Sequence, residues 1–260
     1  MKEETFQKYM LGQEMYLNGK STNAIGKELH LDRNALVRFM KSNGIEVERM
    51  PHKKKINEDI FEVIDTEEKA YWLGFLYADG CVSSGNRNDI ELSLKLSDIH
   101  HVEKFKNFIG FEGKLITDSY RCRVTFKNKK IKSNLIKLGC TPKKSLTLTF
   151  PDENQVPEYL IRHFIRGYFD GDGSIICTDK TKAISIIGTY NMLENICELV
   201  NIPKGRIYPL NNHTDKTFRI ETGSKTNILN FIKFIYDDCN IYLDRKYKKY
   251  KMLIDYFTAV

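Results

Sequence analysis

At 260 residues, 41% hydrophobic and 29% charged, the chain is long enough for two domains or one large one and too apolar for a disordered segment. Lys and Arg exceed Asp and Glu by 41 to 34, and the resulting +7 fits a polyanionic partner. No apolar run approaches a membrane span and the opening MKEETFQKYM is no signal peptide, so no membrane partner is expected. Six cysteines (Cys81, Cys122, Cys140, Cys177, Cys197, Cys239) form no CxxC pair or metal-finger spacing, which reads as a reduced, intracellular chain without a small-molecule cofactor.

Residues 1–50 read as a small helical unit. Phe6, Met10 and Leu17 suggest a first helix ending at Asn18-Gly19. Ser21 or Thr22 can cap a second, with Ile25 and Leu29 inward, and His30-Leu31 makes a turn. Asp32 caps a third helix carrying Leu36, Val37 and Met40, closed by Asn43-Gly44. The run GKSTNAIGKELHLDRNALVRFMKSNGI resembles a helix-turn-helix of the resolvase or regulator type. The resemblance implies a last helix in the major groove, with Arg33, Asn34 and Arg38 at base edges. A docking or protein-interaction module is the other reading. Residues 1–55 hold 11 Lys/Arg against 7 Asp/Glu, more than half of the net positive charge. Residues 51–58 then form a linker, part of the basic run IEVERMPHKKKINE, which either follows phosphates or is a solvated tether.

Residues 59–150 and 151–260 read as two halves with one order of elements. In the first, a helix over 71–79 precedes a hairpin whose loop spans residues 83–88. Its second strand, DIELSLKLS, turns Ile90, Leu92, Leu94 and Leu96 one way and Asp89, Glu91, Ser93 and Lys95 the other. Asp98 is expected to cap a helix with Val102, Phe105 and Phe108 inward. A second hairpin alternates Arg121, Arg123, Thr125 and Lys127 with Cys122, Val124 and Phe126, giving a basic face suited to backbone and base contacts in a major groove. A helix over 129–138 ends at Gly139. The second half repeats this. It has a helix at about 157–172, strands at 174–178 and 182–188, and a helix at 190–200 with Met192, Leu193, Ile196 and Leu199 inward. Strands near 205–210 and 217–222 follow, with Arg206 and Arg219 as candidate DNA contacts, then a helix at 225–236 and a basic tail.

The halves are organised around two echoes, YWLGFLYADG at 71–80 and FIRGYFDGDG at 164–173. Gly74 matches Gly167, Ala78 matches Gly171, Asp79 matches Asp172 and Gly80 matches Gly173. Small residues four apart share a helix face and let two helix backbones approach closely, so the two segments are expected to pack on each other. Gly80 and Gly173 then end the helices as C-terminal caps. That leaves Asp79 and Asp172 at two adjacent C-termini, where the helix dipole is already negative and each repels the other. A divalent cation resolves both problems, and hard Mg2+ or Ca2+ prefers oxygen ligands.

These two segments, W72-L-G-F-L-Y-A-D-G80 and I165-R-G-Y-F-D-G-D-G173, resemble the paired motifs of single-chain LAGLIDADG homing endonucleases. The resemblance covers roughly residues 60–255 and departs from the motif at Tyr77, which replaces the first acid that Asp170 keeps. It implies an α+β fold of two pseudo-symmetric αββαββα halves whose sheets form a saddle over duplex DNA, beside the small all-α N-terminal unit. It implies intron homing by a monomer that uses Mg2+, with Ca2+ or Mn2+ as substitutes for binding or activity. By the same resemblance the backbone carbonyls of Ala78 and Gly171 join Asp79 and Asp172 as metal ligands. Lys144 and Lys246 stabilise transition-state charge or polarise the attacking water, or else bind phosphate in the ordinary way. Lys95 orders water from the second strand, whereas the second half offers Ile187-Gly188-Thr189, so the half-sites are chemically unequal.

Other readings fit less well. DGDGS at 170–174 fails as an EF-hand loop, because Ile175 and Thr181 stand where Gly and Glu are needed. Asn211-Asn212-His213 falls in an expected hairpin turn, and His100, His101 and His163 have no ligand partners at a telling spacing. An end in FTAV without a His-Asn splice junction, and a start at Met, read as a free-standing enzyme and not an intein; the expected location is the cytoplasm, prokaryotic or phage-encoded, with an organelle as the alternative. Two other functions stay open: a DNA-binding regulator that has lost cleavage, and an intron RNA maturase on the same fold.

Overall fold

The computed structural model describes residues 3–47, 55–210 and 216–259. The expected turn at Asn211–His213 and part of the expected linker, residues 51–54, lie outside them. The chain divides into two compact units, Met1–Lys53 and Lys54–Val260.

The first unit holds α1 (Glu3–Leu17), α2 (Thr22–Glu28) and α3 (Arg33–Ser42). Ser21 Oγ accepts from the Ala24 N–H to cap α2, and Asp32 Oδ1 accepts from the Ala35 N–H to cap α3. His30 turns the chain between them with φ +52°, a conformation costly for most residues and tolerated by His. Ile25, Leu36 and Met40 form a fully buried centre. The face of α1 differs from the one that Phe6, Met10 and Leu17 suggested, since all three are exposed. The helix instead turns Gly12 inward, about 140° round from those three at roughly 100° per residue. A Cβ at Gly12 would sit 3.0 Å from Leu36 Cδ1 and 3.2 Å from Ile25 Cγ2, so close approach at Gly12 decides the face.

The second unit repeats one order of elements. The first half is α4 (Glu67–Asp79), β1 (Gly80–Val82), β2 (Asp89–Lys95), α5 (Ile99–Phe108), β3 (Ile116–Thr117), β4 (Arg121–Lys127) and α6 (Lys129–Lys137). The second is α7 (Ile161–Asp172), β5 (Gly173–Cys177), β6 (Lys182–Gly188), α8 (Tyr190–Leu199), β7 (Ile207–Pro209), β8 (Phe218–Thr222) and α9 (Lys225–Tyr236). The sheets run β1-β2-β4-β3 and β5-β6-β8-β7, antiparallel throughout. This is the α+β fold of two pseudo-symmetric αββαββα halves. A further helix, α10 (Asp244–Thr258), follows the second half; at the corresponding point of the first there is only a 3-10 turn, Lys144–Leu146.

Period-two alternation sets both sheets. Ile90, Leu92 and Leu94 of β2 and Cys122, Val124 and Phe126 of β4 are buried, while Lys95, Arg121, Arg123 and Lys127 are exposed. Helices cover the inner faces, so one apolar core runs through the unit, with Trp72, Phe75, Phe105, Phe164, Phe169 and Phe231 fully buried. Three expectations are corrected here. Asp98 takes the N-cap position of α5 but makes no side-chain cap bond, because its carboxylate accepts from Arg245 Nε at 3.1 and 3.2 Å instead. Phe108 is only partly buried at the margin of the core, and Leu199, in the last turn of α8, is exposed.

The two halves meet along α4 and α7. A Cβ at Gly74 would lie 2.0 Å from the Phe164 carbonyl oxygen, and one at Gly167 would lie 1.9 Å from that of Tyr71. One at Gly171 would lie 2.2 Å from the Ala78 Cβ. The small residues are therefore imposed by backbone contact between the helices. Gly80 and Gly173 do end their helices, but not in the left-handed conformation of a glycine cap. Both are extended (φ −76° and −91°) and lead directly into β1 and β5. Glycine is needed there for space, since a Cβ would strike Leu76 in one case and the Phe169 ring in the other.

Candidate active site at the paired helix ends

Because α4 and α7 run in contact, their last residues, Asp79 and Asp172, end together. The Asp79 carboxylate oxygen Oδ2 approaches to 3.3 Å of a Cβ placed on Gly171. Both side chains reach solvent on one side, yet the protein mass around each raises its carboxyl above the ordinary value. For Asp79 the positive charges of Lys246, Lys144 and Arg245 oppose that rise. Asp172 is pushed to about 6 by burial first and then by the Asp79 charge, which places the two carboxylates within electrostatic reach of each other.

A buried lysine stands behind each helix end. Lys144, in the 3-10 turn, donates from Nζ to the Gly80 carbonyl at 2.5 Å. Lys246, in the first turn of α10, donates to the carbonyls of Phe169 at 2.6 Å, Asp170 at 2.8 Å and Gly173 at 2.5 Å, with that of Gly171 at 3.4 Å. The last carbonyls of a helix lack partners, so an ammonium group there satisfies them and offsets the negative end of the dipole. Burial pulls Lys246 down to about 8, opposed by the Asp170 charge. The two expected lysines are thus brought to the two expected aspartates. Lys246 has at least three carbonyl bonds and Lys144 one, so the halves differ at this level as well.

Lys95 is exposed at the end of β2. Gly80 pairs with Leu92, so Lys95 lies three residues beyond, at the end of the sheet where α4 enters. In the second half Gly173 pairs with Ile186, which makes Thr189 the counterpart of Lys95. Thr189 is buried, caps α8 by accepting from the Met192 N–H, and donates to the Leu148 carbonyl at 2.6 Å. The second half therefore has no free polar side chain at this register position.

The remaining predicted contacts are exposed, except Arg219. Arg33, Asn34 and Arg38 are exposed on α3, although Arg33 Nε also donates to Thr22 Oγ1 at 3.2 Å. Arg121 and Arg123 are exposed on β4; Lys127, on the same face, is ion-paired to Asp89 at 3.4 Å. Arg206 is exposed in a 3-10 turn. Arg219 is half-buried, 3.6 Å from Glu221, and its Nε has no partner among the described residues.

The sequence reading missed the buried polar network behind the site. Asp170, fully buried, accepts from the Tyr71 hydroxyl at 2.8 Å, the Tyr236 hydroxyl at 2.5 Å and the Leu243 N–H at 2.7 Å. Tyr71 spends its proton on Asp170, so His101, 3.0 Å away, donates to it from Nε2. Burial pushes His101 down to about 3, so it stays neutral. Nearby, the fully buried Arg166 donates to Glu67 at 2.7 Å and to the Ile235 and Ile241 carbonyls, and Glu67 also accepts from Asn240. Segment 240–246, which carries Lys246, is thereby tied to both halves. A lone Asp among aromatics on the apolar face of a helix was the available signal. Asp170→Ala is expected to destabilise the protein by about 3 kcal/mol or more, because three buried donors lose their acceptor at about 1–3 kcal/mol each. Denaturant unfolding measures it, and Asp237→Ala, which strands only the Tyr250 hydroxyl, is the milder comparison.

The Asp172 shift also makes a pH prediction. Its folded pKa lies above the ordinary 3.8, so between about 4 and 6 the folded chain binds more protons than the unfolded one. Stability contributed by this group is then full below that window and lost as pH rises through it. Asp172→Asn is expected to raise Tm at neutral pH and to leave it nearly unchanged near pH 4.

Among the described residues no three His, Cys, Asp or Glu side chains cluster as a metal centre, so any ion here depends on two carboxylates and backbone oxygens. No family model matches the chain. Among curated proteins it is similar to the probable translation initiation factor IF-2 of Methanocaldococcus jannaschii, with 26% identity over 201 residues, 71% of this chain. The chain spans only 17% of that protein's length. Similar solved structures include meganuclease I-SmaMI bound to uncleaveable DNA (12% identity, 71% of this chain and 88% of that one, TM-score 0.48). The LAGLIDADG meganuclease I-CpaMI bound to uncleaved DNA is similar at 12% identity, 73% and 92% coverage and TM-score 0.49. The LAGLIDADG homing endonuclease I-GzeII with its DNA target is similar at 14%, 75% and 89%, and 0.44. Likenesses at this level carry no functional weight, so what the chain does has to follow from its own residues.

Proposed function

We propose that the chain is a site-specific endonuclease that cuts both strands of duplex DNA as a monomer, with a divalent metal at Asp79 and Asp172. The observation that carries this reading is the placement of two carboxylates at the touching C-termini of α4 and α7. The helix dipoles and the crowding of the two acids oppose negative charge there, and a buried lysine backs each helix end.

The donor set fits a hard cation. Two carboxylates raised by burial, one of them further by the other's charge, gain from a positive ion between them, and all available donors are oxygens. Asp79 and Asp172 would hold Mg2+, with Ca2+ or Mn2+ as substitutes, together with the carbonyls of Ala78 and Gly171. Such an ion supplies a water of lowered pKa and compensation for charge on the phosphate. The chain's own groups do the rest. Lys144 and Lys246 keep fixed positive charge within the site, which favours charge developing on a phosphodiester. Lys95, at the end of β2, orders water on one side only. The basic open face of the first sheet holds the duplex, and Arg33, Asn34 and Arg38 of the N-terminal unit extend recognition as a helix-turn-helix. A cytoplasmic location and a role in intron homing belong to the same reading.

The test is cleavage of a randomised duplex library by the purified chain, with sequencing of the ends produced. Recurrent ends that appear with Mg2+ and vanish with chelator support the reading; no ends under any metal refute it. Competition between duplex DNA and structured RNA separates it from a maturase.

A further inference from the structure

We infer that the two sheets read different bases, with Arg121 and Arg123 of the first taking guanine edges and Ile176, Ile187 and Tyr208 of the second packing on thymine methyl groups. The inference rests on the DNA-binding reading above and adds the base class each half selects.

Register and pairing carry it. On the open face of the first sheet the cross-strand rungs are Asp89–Lys127, Glu91–Thr125, Ser93–Arg123 and Lys95–Arg121. The first pairs its opposite charges at 3.4 Å, and in the second the Glu91 carboxylate accepts from the Thr125 hydroxyl at 2.8 Å and keeps its negative charge. The last two, at the end nearest Asp79, hold three cations with no acid within ion-pair distance among the described residues. The neighbouring carboxylate, Asp118, already accepts from the Tyr120 and Arg121 N–H groups at 2.8 and 2.9 Å. On the second sheet Ser185–Glu221 matches Glu91–Thr125 and Ile187–Arg219 matches Ser93–Arg123, with Tyr208 beside Arg219. The half-buried outward positions of β6 (Ser185, Ile187) carry no charge, Ile176 and Tyr208 are exposed at 39% and 41%, and Arg219 is held by Glu221.

The chemistry follows from what each base shows in the major groove. Guanine presents the acceptors O6 and N7, which suit Arg and Lys, while thymine presents a methyl group, which suits an apolar side chain. An isoleucine laid over guanine leaves both acceptors without water or partner, so the second face selects against it. These isoleucines contribute little to the core, being on the side of the sheet away from it.

The experiment selects duplexes retained by the full chain from a randomised pool and sequences them. One half-site is expected to be rich in guanine and the other in thymine. Arg123→Gln, at an exposed position, should lower affinity roughly tenfold or more for the guanine half-site alone, which also assigns that half to the first sheet. Replacing thymine by uracil, which removes only the methyl group, should weaken binding in the opposite half alone; Ile187→Ser should erase that sensitivity. Equal base composition in both halves, or uracil tolerated throughout, overturns the inference while leaving duplex binding intact. Failure to retain duplex over single strands or RNA of the same sequence overturns the DNA-binding reading itself.

Discussion

Asp79→Asn and Asp172→Asn are each expected to abolish double-strand cleavage while leaving duplex binding within about twofold. Removing a single well-placed hydrogen-bond donor from an active site costs roughly 10^2–10^3 in rate, and loss of a metal-holding carboxylate is expected to exceed the upper end. The amide keeps the shape and removes the charge, so the close packing of Asp79 against Gly171 survives. Binding is spared because the exposed cations of the first sheet and of α3 lie on other elements. A supercoiled plasmid carrying the target separates the outcomes, since uncut, nicked and linear forms resolve on one gel. Linear product from both variants would sink the mechanism. Nicked product from each variant alone would mean that the two half-sites work independently.

The lysines call for a different comparison. Lys246 is buried against the Phe169, Asp170 and Gly173 carbonyls, so Lys246→Met removes charge and also strands helix-end acceptors. Its loss of cleavage is therefore expected alongside a lowered Tm, and only the part that persists well below the melting range reports on chemistry. Among the described residues Lys144 donates to one carbonyl, so Lys144→Met is the cleaner probe. Asymmetry in nicking is expected on the same grounds. Lys95 projects from the sheet in the first half, whereas its counterpart Thr189 is locked as a helix cap.

Much of this arrangement was legible because backbone contact dictates residue type. Gly74, Gly167 and Gly171 repeat at one spacing because any larger side chain would enter the opposite helix, so the pattern in the chain is the imprint of the packing itself. The strands of the first half were legible for a similar reason, one face being buried and the other wet. What did not show was whatever depends on burial of polar groups. Asp170 and Arg166 look like surface residues in a sequence, Lys246 was named only through the resemblance, and only the folded chain reveals that hydroxyls, carbonyls and a carboxylate wait for them. The face of α1 was misjudged because Gly12 has no side chain to register as apolar, though it makes the closest approach. Thr189 was passed over as a departure from pattern, because only strand register identifies it as the counterpart of Lys95.

Gly167→Ala is the substitution expected to destabilise the fold most for its size. In a helix interior alanine is favoured over glycine by about 1 kcal/mol, so local propensity predicts a gain. The new Cβ would, however, lie 1.9 Å from the Tyr71 carbonyl oxygen and 2.8 Å from the Phe75 nitrogen. Both are backbone atoms of the facing helix, with no rotamer to turn aside, so α4 and α7 must move apart along their length. Overpacking of a core costs typically about 1–3 kcal/mol. Separation here also loosens the contacts of every aromatic packed at the seam, so a net loss of about 3–5 kcal/mol is expected, in the range reserved for a specific structural clash. For a domain of this size that lowers Tm by roughly 6–20 °C. Gly205→Ala is the control, since a Cβ there meets nothing within 4 Å. The same displacement would carry Asp172 away from Asp79, so any Gly167→Ala protein that still folds should lose cleavage without losing a single polar group from the site. An unchanged Tm would mean that the helices are not in backbone contact, and the pairing of the two carboxylates would lose its structural basis.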